Sequence, residues 1–225
     1  MSRHKQSFLL PVGLLSIGLW AGAVFAYSQA QLLLFDTPHL HNITMPTTLH
    51  YRVRQEGSLD EPFADRVKLA VERIHPDGTK DASSDFLSGD RYLRFSPVKR
   101  FRGNPLLMYF FQWDTRQMQK YLRGHPNYFR NRIRQAFLSR ATVEETVVHL
   151  NGQAFSAKKI QFQPYTNDPR RAQFRQFEYK RYEIIVADDV PGGLVQLRTE
   201  IPGPDGQAPL LVTAFTFVKA EPLTP

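Results

Sequence analysis

Apolar residues in this chain recur at every second position on either side of a single block, and only inside that block do they recur at helical spacing. From Leu49 to Val53 they alternate with His50, Arg52 and Arg54, and Val67, Leu69 and Val71 repeat the pattern, so both stretches are read as half-buried strands. Pro76-Asp77-Gly78 is turn chemistry, and a short strand is expected from Tyr92 to Phe95. Between Leu106 and Arg123 the period changes. Leu107, Phe111, Met118 and Leu122 fall close to one helical face, with Gly124 expected to end the helix. A second helix is expected from Asn127 as its N-cap, with Phe129, Ile133, Ala136 and Phe137 on one face and Arg130, Arg132, Arg134 and Arg140 mostly off it.

Strand periodicity returns from Val143. Asn151-Gly152 is a two-residue hairpin signal, Ile160 and Phe162 alternate with glutamines, and Tyr182, Ile184 and Val186 share a face. Pro191-Gly192-Gly193 then turns the chain into Val195, Leu197, Thr199 and Ile201, and Pro204-Asp205-Gly206 makes the next turn. Strands, a helical pair, then a meander of strands favour consecutive antiparallel hairpins over parallel βαβ units, which gives an α+β fold. The last strand, Leu210 to Val218, is apolar on both sides: Leu211, Phe215 and Phe217 on one, Leu210, Val212, Ala214 and Val218 on the other. Cover is therefore expected on both faces, by helices on one and by a second layer or a pocket on the other; a curved antiparallel sheet covering a central helical pair would supply such a pocket.

The start of the chain bears on location. Arg3 and Lys5 precede an apolar run from Phe8 to Phe25 that closes on small residues, the layout of a secretory signal peptide, with cleavage expected after Ala26 and Ser28-Gln29-Ala30 as a second candidate. The alternative is an uncleaved inner-membrane anchor over residues 8–25, for which Pro11, Gly13, Gly18 and Gly22 are poorly suited. The division expected is a signal peptide over 1–26, an extended N-terminal segment over 27–48 and a single α+β domain over 49–225. The chain has no cysteine, so neither a lipid-anchoring cysteine nor a disulfide is available.

Composition is that of an ordinary globular domain, 42% hydrophobic and 22% charged in spite of 16 prolines. The net charge is +8; losing Arg3 and Lys5 leaves 27 basic against 21 acidic side chains, or +6. A basic exported protein is suited to phospholipid headgroups, acidic glycans or an acidic protein surface, whereas export removes it from nucleic acid.

An exported chain with hairpin strands, a central helical segment and a long antiparallel meander resembles the lipoprotein-carrier fold of the LolA and LolB periplasmic proteins. Phe101-Arg102-Gly103-Asn104-Pro105, Tyr128-Phe129-Arg130-Asn131-Arg132-Ile133-Arg134 and Lys180-Arg181-Tyr182 through Val190-Pro191-Gly192 also look like an uncharacterised family of exported proteobacterial proteins. The resemblance implies an incomplete β-barrel closing over helices around an apolar cavity, and binding or shuttling of a lipid or lipidated molecule. No binding residue carries over one by one, and the missing lipobox cysteine separates this chain from the outer-membrane lipoprotein members.

Chemistry-bearing motifs are few. There is no Gly-x-Ser-x-Gly, Ser-x-x-Lys, dinucleotide or phosphate loop, or zinc-protease signature, and Glu144-Glu145 and Asp188-Asp189 are adjacent pairs that a strand would point to opposite faces. His39-Leu40-His41 followed by Met45 is the one hint of metal ligation, short of a full ligand set, and neither a metal nor a cofactor is expected. Arg123, Arg130, Arg132 and Arg134 are candidate anion ligands, with Arg170, Arg171 and Arg175 as a second basic group; a solvated surface is the competing and favoured reading of both. Tyr109, Phe111, Trp113, Phe215 and Phe217 are candidate cavity-lining residues, alongside Phe110, with core packing as the competing role. The expected function is a non-enzymatic periplasmic carrier or binding protein for a lipid or other apolar ligand, with or without an anionic head, in peripheral contact with a membrane. The alternative is an interaction protein or accessory subunit of a cell-envelope complex.

Overall fold

Alternation of side chains dictates the sheet. The computed structural model describes residues 28–223, so the apolar N-terminal run and the junction after Ala26 lie outside the described residues. Nine strands form one antiparallel sheet: β1 (Thr47–Gly57), β2 (Phe63–Ile74), β3 (Lys80–Phe86), β4 (Val98–Phe101), β5 (Thr142–Leu150), β6 (Gln153–Phe162), β7 (Arg181–Val186), β8 (Leu194–Ile201) and β9 (Leu211–Pro222). Their spatial order is β4-β3-β2-β1-β9-β8-β7-β6-β5. The chain thus starts mid-sheet and meanders out to the β4 edge. It crosses to the β5 edge through α2 (Pro105–Leu122) and α3 (Pro126–Ser139), and meanders back until β9 pairs with β1.

That crossing fixes the layers. Laid flat, nine strands would span about 40 Å at ~4.8 Å per interval, far wider than a helix of about 10 to 12 Å diameter. Strands on both sides of the middle strand β9 nevertheless reach the helical pair: the Tyr51 hydroxyl of β1 accepts from Asn104 at the head of α2 at 3.1 Å, Phe215 of β9 touches Phe110 and Trp113 at centroid distances of 5.3 Å, and Phe162 of β6 meets Phe137 of α3 at 4.5 Å. The sheet therefore curves around the helical pair and stays open, its β4 and β5 edges unpaired with each other. On β5, the edge charges Glu144 and Glu145 face Lys159 and Lys158 of β6, a placement that discourages pairing with another sheet. Among the described residues no helix is long and apolar enough to cross a membrane.

Several elements differ from the periodicity reading for identifiable reasons. Helix α2 starts one residue early because Asn104 caps it and Pro105 occupies its first position, and it ends at Leu122 because Arg123 itself takes the left-handed conformation (φ 54°) expected of a glycine. Gly124 is needed for closeness instead, since a Cβ there would lie 2.6 Å from the Phe129 ring. His125, not Asn127, caps α3, its Nδ1 accepting from the Asn127 N–H at 3.2 Å ahead of Pro126. Leu93 makes only an isolated bridge to Phe86; the edge strand is Val98–Phe101. Residues expected to be extended near the N-terminus include a hook, α1 (Gln29–Gln31) running into a π turn over Leu32–Asp36, with Ala30 and Leu34 buried.

Strand β9 is not covered on both faces. Leu211, Thr213, Phe215 and Phe217 are buried, whereas Leu210, Val212 and Ala214 are half-buried and Val218 is exposed. Register explains how apolar residues tolerate the outer face: Ala214 lies between Arg54 and Arg198, and Val212 between Glu56 and Glu200. The aliphatic stems of such neighbours can roof small apolar side chains while their heads stay wet.

Candidate functional site

A buried junction built on Asn104 positions the helical pair. Its side-chain oxygen accepts the Leu106 N–H at 3.0 Å, capping α2, while its amide donates to the Tyr51 hydroxyl of β1 at 3.1 Å and to the Gly192 carbonyl of the β7–β8 turn at 2.9 Å. Gly192 sits at φ +79°, and a Cβ would lie 2.4 Å from Leu49 Cδ1, so only glycine fits. Asn42 clamps the same turn, accepting the Gly192 N–H and donating to the carbonyls of Asp188 and Val190. His39 closes the junction, Nε2 against the Leu33 carbonyl at 2.8 Å and Nδ1 accepting from the Asn104 N–H at 3.4 Å. These partners require the neutral Nε2–H tautomer, and burial pushes the imidazole below its ordinary pKa. The N-terminal hook is thereby tied to the start of α2, which accounts for two of the stretches that carried the resemblance. With both His39 nitrogens engaged and Met45 exposed, His39, His41 and Met45 do not come together as ligands.

Aromatic side chains pack the space between sheet and helices, and a smaller hollow of about 330 Å³ remains where Trp113 meets Gln55, Leu87 and Leu93. Of the residues expected to line a cavity, Phe215 is surrounded by Phe86, Phe110 and Trp113, Tyr109 stacks on Phe95 at 4.6 Å, and Phe217 packs edge-on against Tyr51 at 5.7 Å. Deeper toward β7 lies a polar group that no motif announced. Lys180 and Asp114 form a buried ion pair, the Tyr182 hydroxyl donates to Asp114, and Tyr165 lies 3.4 Å from Tyr182. Burial, with Asp114 adding to it, raises both tyrosine hydroxyls well above their ordinary pKa, so both stay protonated.

Open space lies along the seam between α2, α3, the hook and the β4 edge. Phe111, the fifth cavity candidate, forms its floor with Ile133 and Phe137; Met108 of α2, Leu138 of α3, Phe35 of the hook and Phe101 of β4 rise around it, enclosing about 680 Å³. Helical spacing explains the stripe: Arg130, Ile133, Arg134, Phe137 and Leu138 follow i, i+3, i+4, i+7, i+8 on α3, opposed by Met108, Phe111 and Gln112 on α2. Phe137 anchors the wall through edge contacts with Phe35 (5.4 Å), Phe111 (5.2 Å) and Phe162 (4.5 Å). Phe35, Met108 and Leu138 remain 50%, 45% and 49% exposed, and Leu32, one turn before Phe35, 44%.

The four candidate arginines separate. Arg130 and Arg134 line this groove; Arg130 contacts the Asn127 amide oxygen, and neither has a carboxylate within ion-pair distance among the described residues. Arg132 is paired with Asp168, whose carboxylate also accepts the Tyr128 hydroxyl and the Arg170 N–H, and Arg123 is the exposed C-cap of α2. In the second basic group Arg171 faces Glu178 at 3.8 Å. A separate polar hollow of about 450 Å³ beside β6–β8 mixes both signs, Arg140, Arg181 and Arg198 with Glu183 and Glu200, and there Arg181 and Arg198 both face Glu200. Met108, Leu138 and Phe35 went unnoticed in the sequence. For the α3 wall the i, i+3, i+4, i+7, i+8 pattern was the available signal, and for the hook it was the run Leu32-Leu33-Leu34-Phe35.

No family model matches the chain, and no curated protein matches it. Solved structures that it resembles include lipoprotein LppX from Mycobacterium tuberculosis (14% identity, TM-score 0.34, covering 83% of this chain and 93% of that one). LprF from Mycobacterium bovis follows at 14% identity and TM-score 0.33, covering 88% and 97%, and a LolA superfamily protein from Nitrosomonas europaea at 9% and 0.24, covering 89% and 96%. The likeness drawn from element order is thus met again among solved structures. At these scores it assigns no family and carries no function.

Proposed function

We propose that the chain is an exported, non-enzymatic periplasmic protein, cut after Ala26, that binds the acyl part of a lipid or another apolar ligand in the groove between α2, α3 and the hook. The observation that carries this reading is a concave apolar surface of about 680 Å³ whose charged lining, among the described residues, is Arg130 and Arg134. That volume falls within the roughly 300–1,000 Å³ of small-molecule sites. Each methylene removed from water would contribute about 0.8 kcal/mol, and an arginine can grip a phosphate or carboxylate by paired charge-assisted hydrogen bonds. A cut after Ala26 keeps the hook whole, whereas a cut after Ala30 would remove the Ser28 cap of α1 and a buried alanine.

Native mass spectrometry of the protein purified from the cell envelope, followed by solvent extraction, tests the reading. A bound species of lipid mass, lost in Met108→Ser/Leu138→Ser with unchanged melting, is the expected result. A bare protein mass in mild preparations, unchanged on adding phosphatidylglycerol, would overturn it. The groove's openness would then favour the alternative, an accessory subunit docking on an envelope protein.

A further inference from the structure

We infer that the groove face is a membrane-docking surface: it lies against an anionic bilayer, with Leu32, Phe35, Met108 and Leu138 entering the headgroup region and Arg130 and Arg134 meeting lipid phosphates. The inference rests on the groove being the chain's lipid-facing surface and adds where it meets lipid.

Three observations converge. Nine large apolar side chains are exposed among the described residues; Met45, Tyr92, Val147, Tyr179 and Val218 belong to separate elements, while the other four gather on the hook and the two helices that frame the groove. Contiguous exposed apolar surface of this kind marks an interaction site, whereas scattered residues need no explanation. The charge is of one sign, two arginines with no acidic lining residue among the described residues, and so complements an anionic leaflet. Finally, the chain enters the fold here. The Ser28 hydroxyl donates to the Phe137 carbonyl at 2.7 Å, and the apolar run Phe8–Phe25 stops only three residues earlier. Three residues reach about 10 Å at most. While that run is in a membrane and still joined to Ser28, the groove therefore lies within about one headgroup layer of the bilayer, where its exposed apolar residues first meet lipid.

The cysteine-free sequence permits a site-resolved test. Nitroxide labels on Met108→Cys and Leu138→Cys, with Arg52→Cys on the outer sheet face as reference, are measured in protein purified from the cell envelope. Vesicles of phosphatidylethanolamine with phosphatidylglycerol are compared with phosphatidylcholine vesicles and with buffer. Adding the anionic vesicles should move the labels at 108 and 138 from nickel-chelate access to oxygen access and leave position 52 in water. Each basic residue near an anionic leaflet is worth about a fivefold change in partitioning, so Arg130→Glu/Arg134→Glu should lower the partition coefficient by about 25-fold or more. Labels at 108 and 138 that stay in water on bound protein, or binding unaffected by the double reversal, would overturn the inference. Lipid recovered by extraction together with wet labels would leave the binding reading standing and remove the docking; dry labels with no extracted lipid would do the reverse.

Discussion

The two sides of the helical pair are built from similar residues to opposite ends. Toward the sheet, Phe110 and Trp113 meet Phe215, and Tyr109 stacks on Phe95; toward the groove, Met108 and Leu138 stay half-exposed, while Phe111 and Phe137 form a floor backed by Tyr182 and Phe162 of the sheet. The same aromatic-rich helix thus supplies a core on one face and a groove on the other. What separates them is the number of elements packed against each face. Five aromatic residues of one chain can look alike as cavity candidates, and topology sets Phe111 on the groove floor and Trp113 beside the smaller hollow, with Tyr109, Phe215 and Phe217 among packed rings.

The largest effect expected on the interior side is at its ion pair. Asp114→Ala leaves the Lys180 ammonium buried without its partner, and should cost about 3–5 kcal/mol of stability, read as a lower guanidinium midpoint. Replacing Asp114 and Lys180 together by leucine and methionine should recover most of that loss. A nearly neutral Asp114→Ala would mean that water reaches Lys180, and the interior would then no longer contrast with the groove.

Phenylalanine and leucine truncations draw the same contrast in packing energy. Phe215→Ala removes a ring held by three aromatic neighbours and should cost about 3–5 kcal/mol. Leu138→Ser, half-exposed at the rim, should stay within about 0.5 kcal/mol while weakening retention of lipid. Thermal melts of the two variants beside lipid extraction decide between them. A Phe215→Ala protein that melts normally and loses lipid would relocate the ligand to the interior.

The periodicity of the sequence reaches the fold well and the groove poorly, and the reasons are physical. Alternation on Leu49–Val53 and Tyr182–Val186 is legible because one sheet face is buried throughout, and Asn151-Gly152 forms its hairpin with φ 51° and 83°, both positive as that turn requires. Strand β3, Lys80–Phe86, reads as Lys-Asp-Ala-Ser-Ser-Asp-Phe and carries no apolar alternation; its neighbours β2 and β4 make it a strand. Junction residues such as Asn104 and His39 act across more than 60 positions of sequence, where no local pattern can reveal them. The basic cluster could be seen but not sorted, since Arg132 differs from Arg130 and Arg134 only through Asp168, 36 positions later.

The smallest expected effect concerns the hook that forms the groove's third wall. His39 is neutral in the fold, because burial lowers its pKa and because its Nδ1 must accept the Asn104 N–H while Nε2–H donates to Leu33. In the unfolded chain the imidazole takes up a proton near pH 6.5, so on acidification the unfolded state binds a proton that the folded state resists. The contribution of His39 is therefore complete above about pH 6.5 and lost as pH falls from there toward its lowered folded pKa. His50 is also lowered, by burial first, and acts with the same sign, whereas ordinary carboxylates titrate near pH 4. Melting should thus decline between pH 7 and 5, and His39→Gln should remove the His39 share of that slope while leaving that of His50. Protection of the Leu34 and Phe35 amides, corrected for the slower intrinsic exchange at lower pH, should fall over the same window in the native chain alone. Equal slopes in both proteins would mean that the hook is held by Ala30 and Leu34 packing and not by the histidine, and the groove would keep its third wall at acid pH.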